Sequence, residues 1–364
     1  KVILKKQKIS QIVFDTYQLK KEIVSEFKNY YTICFNDFFN KNFNADININ
    51  PSLVSEKYQK FKKNFYVGSQ FSCIDDDYLK YRTFILNKFD KKYKTKKKDK
   101  KVLIYIGTFS SSTNIYLKIF TILSDNKFNK FQFIFVLGSN KLKNNFLQKI
   151  KSKKKTNMKF YGYVKKLSKI LRNCNFAITG SGLINHEKLS LGIPSISIIL
   201  AANQMHSVKF FKEKNFIRIF ELKKFLKINK TKLFKIIDQQ KGYFYQRMEL
   251  SDALGSRRVY RLINNKKDLN LTFRKANLGD ILLYYKWANN HLVRKNSLTK
   301  KNISFETHQK WFKKKLSQKM NLLFVCVDEN NLPLGQIRYD YSRTDNRYHI
   351  DISVDEVFRF QGLG

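Results

Sequence analysis

At about 150 residues per domain, a chain of 364 residues has room for two or three domains. Its 43% apolar and 15% aromatic content excludes a disordered tail, and its 3 Pro and 13 Gly exclude collagen-like and low-complexity classes. Lys and Arg number 72 against 28 Asp and Glu, a formal net charge of +44 that favours polyanionic or phosphorylated ligands.

The rest of the composition narrows the field. Cys34, Cys73, Cys174 and Cys326 are scattered without metal-ligand spacing, so neither a disulfide framework nor a metal centre is expected. No apolar run reaches the length of a membrane span, and no signal peptide is visible, so the default compartment is the cytoplasm. The basic runs at 91–101 and 151–155 read as a linker and a surface loop. No nucleic-acid recognition motif accompanies the charge, and the abundant Lys, Asn, Ile, Phe and Tyr share A/T-rich codons, so specific nucleic-acid binding is not expected.

Taken in chain order, residues 1 to about 90 carry short apolar runs at Gln11–Phe14, Tyr31–Phe35 and Asn64–Val67, with polar helical stretches between them. This predicts alternating strands and helices, too short for a complete doubly wound domain. The lysine run 91–101 marks a boundary. Strands follow at Val102–Ile106, Phe131–Leu137, Met158–Tyr161, Phe176–Thr179 and Ser195–Ile199, the first three separated by helical lengths. That alternation predicts a parallel sheet covered on both faces, with ligands at the carboxyl ends of its strands.

A third region starts near Leu269. A strand at Leu271–Arg274 and a helix over 278–290 come first. Ser304 is the expected N-cap of a second helix, with Glu306 in its first turn and Phe305, His308, Phe312 and Leu316 on one face. Leu322–Val327, Gly335–Tyr339 and His349–Val354 then read as antiparallel strands.

The segment Ile178–Glu187 (ITGSGLINHE) holds the clearest site signal. A strand ends, Gly180, Ser181 and Gly182 turn, and a helix starts, with Gly192 and Pro194 closing it. Such a turn lets backbone amides approach a diphosphate, and Glu187 in the helix can accept the hydroxyls of a ribose. A tight turn without ligand reads equally well from these residues alone. Asp15, at a strand end, is either on the sugar side of a site or the cap of a turn. His186 and His206 read as helix-surface or packing residues rather than bases.

The order Gly180–Gly182, Glu187, Leu191–Pro194, Asn203 and Gln204 resembles the nucleotide-binding lobe of GT-B enzymes. It is most similar to the UDP-sugar hydrolases of pseudaminic (nonulosonic) acid biosynthesis, which are themselves similar to MurG-type glycosyltransferases. The resemblance covers roughly 8–262 and includes Phe14–Tyr17, Ala45–Asn50, Tyr66–Gly68, Gly138 and Phe160–Val164. It implies that Gly180, Ser181 and Gly182 hold diphosphate, Glu187 the ribose, Asn203 and Gln204 the sugar, and the backbone at Val164 the uracil. The implied reaction is displacement of UDP by water at the anomeric carbon of a UDP-linked 2,4-diacetamido-2,4,6-trideoxy sugar, without a metal. Two features depart from the family. Gly107-Thr108 stands where it has paired glycines, and its N-terminal glycine-rich loop with a catalytic His has no counterpart, since no His precedes His186. The catalytic residue therefore stays unassigned.

Near the end, Arg359, Gly362 and Gly364 form an R-x-x-G-x-G turn after a strand. Its successive amides suit a pyrophosphate. The turn resembles the acetyl-CoA loop of GNAT N-acetyltransferases, which implies acetyl-CoA contacts from Arg359, Gln361, Gly362, Leu363 and Gly364. Phe273–Asn277, Asp280, Tyr285–Asn289, Val293-Arg294, Ser297, His308, Trp311-Phe312 and Gly335–Arg338 look like the acyltransferases that acetylate UDP-linked amino sugars in the same pathway. His308 and Trp311 face either substrate or an aromatic packing layer.

These resemblances together imply a bifunctional α/β chain. Residues 1–100 would be a partial first lobe and linker, 101–262 a nucleotide-binding lobe, the two forming a GT-B-like Rossmann-type pair. Residues 269–364 would be the first half of a GNAT domain. The chain is expected to be a fragment truncated at both ends, close to inactive in either reaction. A GT-B glycosyltransferase using a UDP-sugar donor and a non-enzymatic polyanion-binding protein are the rival readings.

Overall fold

A computed structural model describes residues 8–16, 18–36, 43–52, 64–92, 100–107, 112–151, 155–205, 210, 218–239, 242–264 and 270–359. The chain divides into two compact units, one of residues 1–79 and 96–263, the other of 80–95 and 264–364. The fold is α/β: the first unit contains two parallel Rossmann-type sheets, the GT-B-like pair expected, and the second contains an antiparallel sheet with helices.

The first sheet has four parallel strands in the order β1-β2-β3-β4: β1 (Gln11–Asp15), β2 (Tyr31–Phe35), β3 (Ile47–Asn50) and β4 (Phe65–Val67). β3 was not read as a strand, because its sequence ININ looks half polar. All four residues are buried all the same. Asn48 donates its Nδ2 to the carbonyl of Ala45, and the Asn50 side-chain oxygen accepts the amide of Ser52, so each side chain is tied at one end to its own flanking loop, while Asn48 Oδ1 and Asn50 Nδ2 are buried without a hydrogen-bond partner among the described residues.

The second sheet has six parallel strands: β5 (Lys100–Tyr105), β6 (Phe131–Val136), β7 (Met158–Tyr161), β8 (Phe176–Gly180), β9 (Ser195–Ile199) and β10 (Arg218–Glu221). Their order is β10-β9-β8-β5-β6-β7. The chain moves outward from β5 through β6 to β7, then returns to the far side of β5 and moves outward again through β9 and β10. A strand order that reverses in this way opens a crevice at the carboxyl ends of the two strands at the reversal, here β5 and β8. Every residue of β8 is buried, which explains its unbroken apolar run. The missed strand β10 is a short, half-exposed edge with little apolar signal.

Phenylalanine fills this core. Phe128, Phe131, Phe133, Phe135 and Phe146 are fully buried, and the rings of Phe135 and Phe146 stack at 6.1 Å. Burying each such side chain contributes about 2–3 kcal/mol. Tyr116 adds a polar tie: its hydroxyl accepts the amide of Ile106 at 2.8 Å and donates to the carbonyl of Val136 at 2.7 Å. The carboxyl ends of β5 and β6 are thereby fixed side by side.

The last helix of this unit, Gly255–Asn264, returns to the first sheet's side of the fold. Ser256 donates to the carbonyl of Ile74, Arg258 to that of Gln70, and Gln11 to that of Ile263. Fully buried Arg258 is also held by Asp252 at 2.6 Å.

The second unit has the antiparallel order β11-β12-β13-β14, with β11 (Thr272–Lys275), β12 (Leu322–Val327), β13 (Pro333–Ser342) and β14 (Arg347–Val354). The helix expected over 278–290 is a 3₁₀ turn, Leu278–Asp280, followed by the α-helix Ile281–Ala288. Asn277 and Asp280 form a reciprocal capping box that sets this start, and Arg274 grips the Asp280 carboxylate with both nitrogens at 2.7 and 2.8 Å. Ser304 caps the Phe305–Ser317 helix by accepting the amide of Thr307.

At the start of the Gly255–Asn264 helix the backbones meet closely: a Cβ on Gly255 would collide with the carbonyl oxygen of Ser72. Gly255→Ala is therefore expected to cost about 2–4 kcal/mol by forcing the helix off residue 72, read as a lower denaturant midpoint for the first unit.

Candidate functional site

A cavity of about 660 Å³ lies at the reversal point of the six-stranded sheet. Its walls come from Ile106 and Gly107 after β5, Val164 and Lys165 after β7, Gly180–Ile184 after β8, and Leu200, Ala201 and Gln204 after β9. Glu187, Asp75 and Tyr78 complete it. Of the residues expected to meet a nucleotide, Gly180, Ser181, Gly182, Glu187, Gln204 and Val164 all line this one space, although they span 40 positions in sequence. The side chain of Asn203 lies outside the described residues, as do Thr108 and His206.

The two glycines of the turn differ. A Cβ on Gly180 would stand 2.9 Å from Leu200 and 3.1 Å from the carbonyl oxygen of Ile106, so neighbouring strands require glycine there. A Cβ on Gly182 would meet nothing within 4 Å. The fold does not need glycine at 182, and the space above it opens into the cavity. Farther on, Gly192 has φ +69°, the left-handed conformation of a helix C-terminus, and its carbonyl accepts from buried Arg247 at 2.8 Å.

Glu187 sits in the short helix Ile184–Ser190. Burial pushes its carboxyl up to about 7, with the charge of Asp75 adding to the rise and a hydrogen bond from Tyr78 opposing it. Tyr78 donates its phenolic proton to Glu187 Oε2 at 2.9 Å and is itself buried. One carboxylate oxygen is thus engaged by the protein, and the carboxyl lines the cavity. Burial and the Glu187 charge likewise raise the Tyr105 phenol. Lys165 and Lys166 supply positive charge at the rim, Lys166 being paired with Asp77 at 2.7 Å. The Gln204 side-chain oxygen accepts the amide of Leu200 at 2.9 Å, which pins the loop after β9.

Sequence reading missed Asp75, Tyr78, Tyr105, Lys165 and Lys166. Tyr105 lies within a strand that the sequence indicated and the two lysines follow another; Asp75 and Tyr78 precede or begin a helix and carry no periodic signal. Asp15 ends β1 and is not among the residues that line the cavity. His186 is not on the helix surface. It is buried, its Nδ1 has no hydrogen-bond partner among the described residues, and burial lowers its pKa to about 4. It packs inside the fold because its helix lies against the sheet with nearly every residue covered. No group of His, Cys, Asp or Glu among the described residues is arranged to hold a metal ion.

In the second unit, His308 is buried. Its Nε2 lies 3.0 Å from the carbonyl of Ile281, and its ring stacks on Phe312. Trp311 instead carries the Arg338 guanidinium over its ring at 5.1 Å. Arg359 spans from the carbonyl of Val354 to the side chain of Asn290, at 3.2 and 2.9 Å. Gln361, Gly362, Leu363 and Gly364 lie outside the described residues. Among the described residues, no helix is long and apolar enough to cross a membrane.

No family model matches the chain. An uncharacterized protein of Methanocaldococcus jannaschii is 23% identical over 332 residues; this covers 86% of the present chain, which spans 64% of that relative's length. Among solved structures, MurG of Acinetobacter baumannii aligns with a TM-score of 0.49 at 10% identity, over 73% of this chain and 76% of its own. A spermidine N-acetyltransferase of Vibrio cholerae, solved with CoA and spermine, aligns with a TM-score of 0.23 at 17% identity, over 25% of this chain and 55% of its own.

Because the Glu187 carboxyl holds its proton more tightly in the folded chain than in the unfolded one, folding takes up a proton between the two pKa values. Stability is then lost as pH rises from the ordinary carboxylate range through about 7. Thermal melts at pH 5 and pH 8 are expected to show a smaller loss at the higher pH in Glu187→Gln than in the parent chain.

Proposed function

We propose that the first unit is a nucleotide-sugar enzyme that binds a UDP-linked sugar in the cavity at the β5/β8 reversal. The observation that carries this reading is the convergence of the Gly180–Gly182 turn, the Glu187 carboxyl and the Val164 backbone on one space at the carboxyl ends of a parallel sheet. The turn meets the diphosphate, Glu187 accepts the ribose hydroxyls, the backbone at Val164 meets the uracil, and Asn203 and Gln204 reach the sugar. Tyr78 leaves Glu187 Oε1 for the ribose by occupying Oε2.

The reaction best suited to these parts is displacement at the anomeric carbon. Water attacks, the glycosidic C–O bond breaks, and the electron pair leaves with UDP, whose charge is met by the turn's donors and the rim lysines. The sugar we propose is a 2,4-diacetamido-2,4,6-trideoxy hexose of pseudaminic acid biosynthesis. The second unit, in this reading, is an acetyltransferase that acylates the amino sugar with acetyl-CoA, Arg359 and residues 361–364 meeting the CoA pyrophosphate. One enzyme would finish the amino group while UDP is still attached, and the other would release the sugar.

Gly182→Ala separates ligand from fold. Its new methyl has open space in the free protein, so stability is expected to hold or rise by about 0.4–1 kcal/mol, while UDP affinity falls at least tenfold, measured by calorimetric titration at moderate salt. Unchanged UDP affinity removes the diphosphate from this turn. Incubated with a UDP-sugar, the chain is expected to bind it with little or no turnover, since no counterpart of the family's catalytic His loop is present; UDP released without an acceptor identifies a hydrolase, and release only when an acceptor is added identifies a glycosyltransferase.

A further inference from the structure

Beneath the glycine turn lies a buried hydrogen-bonded chain that the proposed chemistry does not use. Lys188 is fully buried, and its Nζ donates to Thr179 Oγ1 at 2.8 Å and to Ser197 Oγ at 2.7 Å. Among the described residues no carboxylate pairs with it. Thr179 passes its own proton to the carbonyl of Gly180 at 2.9 Å. Ser197 donates to Asn185 Oδ1 at 2.8 Å, and Asn185 Nδ2 donates to Ser181 Oγ at 3.1 Å. Ser181 lines the cavity.

The direction of this chain follows from its origin. The lysine gives an N–H to each hydroxyl, so Ser197 accepts from it and must spend its proton on Asn185. The Asn185 amide is then oriented with its oxygen toward Ser197 and its nitrogen toward Ser181. Ser181 already accepts one bond, so its own hydroxyl proton is left to donate. An anion in the cavity can use that proton; a ligand without an acceptor at this point cannot.

We infer that Lys188 is a positioning residue: acting through Ser197 and Asn185, it holds the Ser181 hydroxyl as a donor toward the diphosphate of the bound nucleotide. This rests on the reading of the turn as a diphosphate site. A buried lysine held by two neutral hydroxyls is costly to the fold, and burial drives its pKa well below the ordinary value. Fixing the polarity of the chain above it gives that cost a function. Without the lysine, Ser197 is free to accept from the Asn185 nitrogen. The amide then turns its oxygen toward Ser181, whose proton is drawn inward, away from the ligand.

The test is a double-mutant cycle read with two ligands. Lys188→Met keeps the apolar stem and removes the donor; Ser181→Ala removes the far end of the chain. UDP and uridine are titrated into the parent chain, each single variant and the pair. The expected result is a loss of about tenfold in UDP affinity for each single variant, little change for uridine, and no further loss when the two are combined. Ser197→Ala, which breaks the middle link, should give the same pattern, so the inference stays testable if Lys188→Met does not fold. Equal losses for UDP and uridine, or losses that add in the pair, would overturn it and leave Lys188 with a packing role. A Ser181→Ala chain that binds UDP as well as the parent also overturns it, with the nucleotide site intact. A parent chain that does not bind UDP overturns the nucleotide reading itself and this inference with it.

Discussion

The reversal of strand order between β5 and β8 is the constraint on which the rest of the first unit depends. In a parallel sheet, connections cross over on a right-handed path, mostly to a neighbouring strand; here the one after β7 returns past β6 and β5 to start again at β8. Where the crossovers change direction, two loops part and no helix covers the gap. The loops after β5 and β8 part at this reversal, and the cavity lies between them. The Phe-filled core packs beneath this sheet, and the Tyr116 tie between Ile106 and Val136 fixes the end of β5, one side of the gap, against β6. In the proposed reading, a ligand site built this way needs little from its loops beyond donors and room, which the glycine turn would supply.

Burial then decides which groups at the cavity are charged. Glu187 lies on a helix whose other residues are buried, and its carboxyl loses hydration without gaining a cation among the described residues. Its hydrogen bond from Tyr78 offsets only part of that. Near pH 7 the group is therefore balanced between its two forms, and a hydroxyl-rich ligand that donates to it would favour the anion. The rim lysines act differently. They are exposed, and their field falls off within about 10 Å at ordinary ionic strength.

Much of this architecture was legible in sequence. The central strands are buried on both faces, so β5, β6, β8 and β9 appear as apolar runs of the right length, each ending near glycine or a helix start. The apolar runs read for β2, β7, β9 and β12 coincide with the strands to the residue. The illegible parts have two causes: partners far away in sequence, and strands whose own residues give little apolar signal. Tyr78 and Glu187 are 109 positions apart, and neither marks the other. β3 hides its burial behind two asparagines that bond to their own loops, and β10 is too short and exposed to show a pattern. Lys188 looks like any lysine on a helix surface until the helix is seen laid against β8 and β9. For His186 the packing alternative holds, since a seven-residue helix with nearly every residue covered leaves it inside the fold.

In the proposed reading, the net charge and the buried chain beneath Ser181 answer different needs of anion binding. A field of +44 draws phosphates from any direction and weakens with salt; it cannot tell a diphosphate in register from one that is not. Register requires donors whose direction is fixed before the ligand arrives. A serine hydroxyl alone rotates freely and would accept or donate as its neighbours allow. Tying it through an amide and a second hydroxyl to a group that donates removes that freedom, and the low dielectric around the tie makes a reversed orientation expensive. The same desolvation that makes Lys188 costly to bury is what lets it impose direction on three residues above it, so the surface lysines can be numerous and interchangeable while this one cannot.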